Sequence, residues 1–320
     1  MNTQARYQKR VIIAGGSGFL GTVLTKYFNE DYSRVTILTR HPRERYDYVR
    51  EIAWDGQTLG PWAKELDGAE IVINLTGRSV DCRYNAQNRK EILESRINST
   101  RVIGEAIAKC ERAPDVWLNA STATVYKHTF GPPHDETSVE MDSATDAKDA
   151  FSVEVAQAWE RALDEAPKTR TRKVALRTSM VLGLGRNSVF PVLRRLTKFG
   201  LGGRQGNGKQ FVSWIHQDDF CRAINWIINY ELAGPINLCA PNPLPNAEMM
   251  RIFREICHRP IGLPANKWML EIGAFFMRTE TELIFKSRRV VPGRLLKSGF
   301  TFLFPQFHDA AIDLEKRMEG

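Results

Sequence analysis

A short apolar run at 10–14, RVIIA, ends in Gly15-Gly16-Ser17-Gly18, and FLGTVLTKYFNE follows at 19–30. In that last stretch Phe19, Leu20, Val23, Leu24, Tyr27 and Phe28 recur at the three- and four-residue spacing of a helix face. A buried strand, a glycine turn and an amphipathic helix therefore stand in immediate succession. The turn satisfies GxxGxxG through Gly15, Gly18 and Gly21, and GxGxxG through Gly16, Gly18 and Gly21. Glycine at these places permits a sharp turn, a close approach of a pyrophosphate to the backbone, and tight packing of helix on strand. The free N–H groups and positive dipole end of the helix then face the phosphates. Gly15, Gly16, Ser17, Gly18, Phe19, Leu20 and Gly21 are the expected dinucleotide-contacting segment.

The same punctuation recurs downstream. Strands are expected at 35–39 (VTILT), 70–75 (EIVINL), 116–121 (VWLNAS) and 173–181 (KVALRTSMV). Helices are expected over 86–110 and at about 150–165, with WDGQTLGPW and residues 129–149 as turn-rich connections. Strand and helix alternating at this period predict an α/β fold, a Rossmann-type doubly wound parallel sheet with helices on both faces. After 182 the texture changes, with Gly183, Gly185, Gly200, Gly202, Gly203, Gly206 and Gly208 crowding one region. We expect an NADP-binding Rossmann domain over 1–182, which also takes back segments near 212–238, and a smaller α/β C-terminal cap over 183–320.

The second strand separates the two dinucleotides. An NAD site places Asp or Glu at its end, against the ribose 2′-hydroxyl. Here the strand ends Thr39-Arg40, with His41, Arg43 and Arg45 following. A guanidinium forms charge-assisted, bidentate bonds with a 2′-phosphate, so the cofactor expected is NADP(H), gripped by Arg40 with the Thr39 hydroxyl assisting. Arg45 fits a solvated loop face.

Charge and composition limit the other classes. The net charge of +8 suits a protein that handles phosphorylated ligands. The basic residues sit in separate groups (Arg34 to Arg50, Lys168 to Lys173, Lys286 to Lys297), and no single run with interleaved aromatics stands out, so nucleic acid is not the expected partner. Five scattered cysteines form no CxxC pair, and the six histidines form no HxxxH or HExxH array, so neither a disulfide framework nor a metal site is expected. No apolar stretch reaches the roughly 18 residues of a membrane span. The run VIIAGG is too short for a signal-peptide core, which makes the cytoplasm the expected location.

These pieces form a pattern. AGGSGFLG, the LTR after the second strand, AWDG at 53–56 and LDGAEIVINLTG at 66–77 are followed by KEILESR at 90–96 and SVEVAQAWE ending at Glu160. LRTSMVLG at 176–183, GLGG at 200–203, GNGKQFVSWIHQDD at 206–219, GPIN at 234–237, PNAEM at 245–249 and RRVVPGRLLKSGF at 288–300 complete the order. With these motifs the chain resembles the extended short-chain dehydrogenase/reductase superfamily. It is most similar to the atypical, nucleoside-diphosphate-sugar epimerase-like branch of the NAD(P)-dependent epimerases/dehydratases, whose members close with a small uncharacterised domain.

The resemblance implies further cofactor contacts: Leu75 and Thr76 closing the third strand, with Gly77 next, Glu91 and Arg96 on the following helix, and Val181 near the nicotinamide. Leu75 and Val181 read equally as plain core residues. The resemblance also implies a small-molecule substrate and a homodimer. Catalytic members use a Tyr-x-x-x-Lys pair, the lysine lowering the tyrosine pKa while a Ser or Thr orients the substrate. Thr122 matches the Ser/Thr position, with Ser121 and Thr124 beside it, and Tyr126 matches a tyrosine lining the site.

The pair itself is missing. Phe151 and Val155 stand at the two expected positions, and none of the eight tyrosines has a lysine four residues later. Two readings follow. The chain is an NADP-dependent oxidoreductase or epimerase with Tyr126 or Glu160 as substitute acid–base group, or it is a non-catalytic NADP(H)-binding or redox-sensing protein. Glu160 fits a helix ion pair equally well, and Tyr126 a pocket wall. In the cap, Arg204, Lys209 and His216 are expected to meet an anionic substrate group; His216 reads equally as a strand-end residue bonded to Asp218 or Asp219. Trp214 is expected to pack.

Overall fold

The computed structural model describes residues 9–30, 34–45, 49–138, 147–185, 188–265 and 286–319. Seven parallel strands form the main sheet. They are β1 (Arg10–Ala14), β2 (Arg34–Thr39), β3 (Val49–Ala53), β4 (Ile71–Asn74), β5 (Val116–Thr122), β6 (Arg172–Thr178) and β10 (Gly234–Leu238). Their order is β10-β6-β5-β4-β1-β2-β3. From β1 the chain runs outward to β2 and β3, then crosses back to β4, so the order reverses beside β1. Such a switch point opens a crevice at the carboxyl ends of the strands.

Alternate side chains of β1 face opposite layers. Val11 and Ile13 join the core built on α1 (Phe19–Glu30) and α5 (Gln217–Asn229), through Leu24, Phe28, Ile224 and Ile227. Ile12 and Ala14 join the opposite core, against Val102, Ile103 and Ala106 of α2 (Ala86–Ala108) and Leu163 of α3 (Ala147–Asp164). The near-continuous apolar strands are thus buried on both faces, as a parallel sheet requires.

Two strand expectations need correction. The stretch 173–181 is not one strand, because β6 ends at Thr178 and β7 (Met180–Leu182) leaves the sheet to pair in parallel with β9 (Trp214–His216). Between them, Ser179 turns its N–H and hydroxyl onto the Leu238 carbonyl of β10. The edge strand β3 was not anticipated; VREIA carries two charges in five residues and gains strand structure only by pairing with β2, Val35 opposite Val49.

The cap holds α4 (Val189–Lys198), α6 (Asn246–Ile256) and α8 (Phe307–Glu319), with β8 (Phe211–Val212) antiparallel to β11 (Leu244–Pro245), whereas Leu295 of α7 (Gly293–Lys297) packs into the sheet core beside β10. Its own core is aromatic: Phe190 of α4, Phe253 of α6 and Phe307 of α8 meet buried Trp214. Trp214 therefore packs, edge-on to Phe307 with ring centres 5.1 Å apart. No described helix is long and apolar enough to cross a membrane.

Candidate functional site

A cleft of about 550 Å³ lies at the carboxyl ends of the strands on either side of the switch point. One end is the glycine turn. Gly15 adopts a positive φ of 74° and donates to the Leu38 carbonyl, while Gly18 donates back to Gly15. Gly15, Ser17 and Gly18 line the cleft. Gly16 and Gly21 lie beneath it and make the turn possible. A Cβ on Gly21 would sit 2.4 Å from the Gly16 Cα, so only hydrogen at position 21 lets α1 begin this close to the turn, while a Cβ on Gly16 would meet Ile37 of β2 at 2.9 Å.

The opposite wall is the β4–α2 connection, Leu75, Thr76, Gly77, Arg78 and Ser79, with Glu91, Glu94, Ser95 and Asn98 of α2. Leu75 N–H is held by the Ala14 carbonyl, and Thr76 N–H by the Asn74 side chain. Buried Thr76 Oγ1, against Gly15, has no hydrogen-bond partner among the described residues. Glu91 is not bare: Arg78 forms an ion pair with it and also donates to Asn88 at 2.8 Å.

Arg96 does not line the cleft. Its guanidinium lies behind Gly77, donates to the carbonyls of Arg78 (3.1 Å) and Ile92 (2.9 Å), and stacks 4.9 Å over Trp159. Burial there pulls its pKa down to about 10. It braces the cleft wall from outside. Phe19 and Leu20 pack against the core, the Phe19 ring filling the space beside Gly183 and Gly185, and Val181 is buried in β7.

The end of β2 sets the charge. Thr39, Arg40 and His41 line the cleft, and Thr39 Oγ1 accepts the His41 N–H. Arg43 and Arg45 both pair with Glu51 of β3, whose side chain is 1% exposed. Arg40 is exposed, and no hydrogen bond or ion pair holds it among the described residues. Trp54, Asp55, Gly56 and Gln57 complete the lining and were missed as site residues. The signal was present in AWDG, but its strand was not recognised. Asp55 brings a carboxylate, yet Gln57 N–H (2.8 Å), Thr58 N–H (2.9 Å) and Thr58 Oγ1 (2.6 Å) occupy it. Those bonds outweigh the effect of burial and hold its pKa below the usual value.

The expected acid–base groups are elsewhere. Tyr126 is 1% exposed; its hydroxyl donates to Asn237 Oδ1 and accepts from Arg177 Nη1, each at 2.9 Å. Burial pushes the phenol pKa up against the pull of Arg177. Glu160 takes a two-pronged bond from Arg177 at 2.8 and 2.7 Å and accepts the Ser121 hydroxyl at 2.6 Å. Neither residue lines the described cleft. Phe151 and Val155 are buried on α3 with Ile92, Phe151 lying edge-on to Tyr84. Thr122 ends β5 half-buried, its hydroxyl 2.9 Å from that of Thr124.

The cap residues do not converge either. Arg204 and Lys209 are exposed on one loop, Arg204 donating to the Asn207 carbonyl. His216 is fully buried and caps α5: Nδ1 accepts the Asp218 N–H at 3.1 Å, and Nε2 lies 3.2 Å from Asp313. It has no face open to a substrate. Of its two readings, the strand-end bond to Asp218 is the one formed.

A doubly wound sheet with a glycine turn at its switch point and a lined crevice there defines a dinucleotide-binding Rossmann protein. The chain belongs to the NAD dependent epimerase/dehydratase family, which matches residues 11–239, and residues 266–314 match a domain of unknown function, DUF1731. It is 31% identical over 306 residues to epimerase family protein YfhF of Bacillus subtilis, covering 95% of this chain and 97% of that one. Human epimerase family protein SDR39U1 is 29% identical over 309 residues, 95% and 99% of the two chains. The crystal structure of human SDR39U1 (isoform 2) with NADPH superposes with a TM-score of 0.84 at 28% identity, covering 96% of this chain and 99% of that one. A nucleoside-diphosphate sugar epimerase from Corynebacterium glutamicum gives a TM-score of 0.74 at 27% identity, covering 97% of this chain and 59% of that one.

Proposed function

We propose that the chain binds NADP(H) in the cleft beside α1 and does so without a Tyr-x-x-x-Lys pair. The observation that carries the reading is the cleft itself, with Arg40 exposed at the end of β2 and no carboxylate at that strand end. The group fits the residues present. The glycine turn leaves its backbone open to a diphosphate, and among the described residues Thr76 Oγ1 and the exposed Arg40 guanidinium have no partner and so suit a phosphorylated ligand. NADPH in the human relative supports the same cofactor. When bound, the nicotinamide supplies a hydride donor or acceptor.

The withdrawal of Tyr126 and Glu160 into the interior, with Phe151 and Val155 packed as core, favours a binding or redox-sensing role. One observation supports turnover as a second reading: the Thr122 and Thr124 hydroxyls are half-buried rather than enclosed, and could hold a substrate oxygen at the end of β5. The cofactor-binding unit on this reading closes near residue 182 and takes β10 back as its outer strand.

Calorimetric titration with NADPH and NADH tests the binding. NADPH is expected to bind tighter, and Arg40→Ala to weaken NADPH by at least tenfold, the loss of about 1.5–3 kcal/mol from a charge-assisted bond, while leaving NADH unchanged. Equal affinity of the wild-type chain for both dinucleotides would overturn the reading. NADPH oxidation across a carbonyl library separates the two roles; turnover with any substrate establishes the second.

A further inference from the structure

We infer that the tip of the cap, formed by the end of α4 and the turn after α6, is a docking surface for an anionic phospholipid bilayer, which the chain meets from one side without crossing it. Four large apolar side chains stand there together: Phe199 is 77% exposed, Ile261 76%, Leu263 59% and Leu201 48%. Two segments bring them into one patch by pairing their backbones. Leu263 N–H donates to the Gly200 carbonyl and Gly203 N–H to that of Leu263, while Ala265 N–H donates to Arg204 and Gly206 N–H to Ala265. So open, Phe199 and Ile261 project from the protein rather than line a groove. A cluster of exposed apolar groups of this kind marks an interaction site. It shares no residue with the lining of the dinucleotide cleft.

Charge and backbone together decide the partner. Residues 189–210 carry Arg194, Arg195, Lys198, Arg204 and Lys209, residues 256–265 add Arg259, and neither stretch holds an aspartate or glutamate. Arg194 and Lys198 are engaged by Glu315 and Glu319 of α8. Arg195 and Arg259 are exposed and form no ion pair among the described residues. The rim of the apolar tip is therefore positive. A second copy of the chain set against it face to face would bring these cations against their own kind, whereas a leaflet of anionic headgroups attracts them. The backbone also suits an apolar medium. The N–H groups of Phe199, Gly200 and Leu201 turn back onto carbonyls of α4, those of Gly203, Gly206, Leu263 and Ala265 are taken up by the pairing, and Pro260 and Pro264 have none. At these positions the tip carries no stranded donor into hydrocarbon, where one would be costly. Apolar side chains at the tip and cations at its rim are the arrangement of interfacial membrane binding.

The test is flotation of the whole chain with vesicles of phosphatidylcholine containing about 30% phosphatidylglycerol, beside vesicles of phosphatidylcholine alone. The chain is expected to float with the first and not the second, and to be weakened on them by salt at about 0.5 M. Phe199→Ser combined with Ile261→Ser should lower the partition onto anionic vesicles about tenfold or more, through lost apolar burial. Arg195→Glu combined with Arg259→Glu should lower it by a similar factor through charge. None of the four residues lines the dinucleotide cleft, so unfolding temperature and NADPH affinity should match the wild type in both double variants. A wild-type chain that stays behind when anionic vesicles float overturns the inference. So does flotation that survives the serine changes, because the net charge of +8 is then acting alone. A lipid-indifferent dimer that the serine changes split gives the patch to a second copy. Protection of Phe199 from hydroxyl-radical labelling in the lipid-free monomer gives it to another segment of the chain, and retention on poly-glutamate without flotation gives it to an acidic protein. Each of these overturns the lipid assignment and leaves the NADP(H) reading untouched.

Discussion

Arg177 shows how one residue can hold several elements at once. Its guanidinium, 4% exposed on β6, bonds Glu160 of α3 with two nitrogens and the Tyr126 hydroxyl with a third. Glu160 reaches on to Ser121 of β5, and Tyr126 to Asn237 of β10. Burial alone would lower the Arg177 pKa, but Glu160 more than compensates and the guanidinium stays charged. A buried ion pair is costly to break from one side because it strands the other charge. Glu160→Gln is therefore expected to destabilise the chain by about 3 kcal/mol in a denaturant titration, with NADPH affinity changed less than twofold. A variant of normal stability that has lost NADPH would return Glu160 to the cleft. The candidate proton-transfer groups were visible in the sequence; that an arginine on the neighbouring strand would claim both was not.

Among the elements, β1 and α1 were readable because their evidence is local: apolar content, turn glycines and helical spacing all lie within about twenty residues of one another. Gly21 is where their packing is tightest. Alanine there would drive a methyl group into the Gly16 backbone, which cannot rotate away as a side chain could. Gly21→Ala should cost on the order of 1–3 kcal/mol of stability and abolish tight dinucleotide binding, measured together by thermal unfolding and calorimetry. Unchanged NADPH affinity in a stable G21A protein would contradict the packing argument. By contrast, β3 was hidden because its sequence has no strand pattern of its own. Its partners on β2 supply the hydrogen bonds, and its Glu51 supplies the anchor for Arg43 and Arg45. The Trp54–Gln57 side of the cleft hangs on that strand and was hidden with it.

At the scale of the molecule, the cap is fastened to the sheet domain through α5 and α8. Arg317 of α8 bonds Asp218 at 2.7 Å and Asp313 at 2.8 Å, and His216 lies between the two acids. Although these groups converge as metal ligands might, the Arg317 guanidinium already occupies both carboxylates. Burial lowers the His216 pKa, and with Arg317 offsetting the acids the ring is held neutral. The unfolded chain, with a pKa near 6.5, binds that proton more readily. Stability from this group is therefore complete above about pH 6.5 and is lost as pH falls below it. His216→Asn keeps an acceptor for the α5 N-terminus and removes the titration. The fall in unfolding midpoint between about pH 7 and pH 5 should be shallower in the variant than in the wild type; an identical slope would acquit His216.

The order of residues alone determined the Rossmann class, the glycine turn and the choice of Arg40 over an acid, because each depends on contacts between near neighbours in the chain. It also determined that no Tyr-x-x-x-Lys pair on one helix exists. Only the tertiary structure decided that Tyr126, Glu160 and His216 are enclosed by Arg177, Asn237 and Asp313, and that Arg43 and Arg45 are held away by Glu51. Those outcomes come from side chains far apart in sequence competing for the same charges in a medium that penalises any charge left alone.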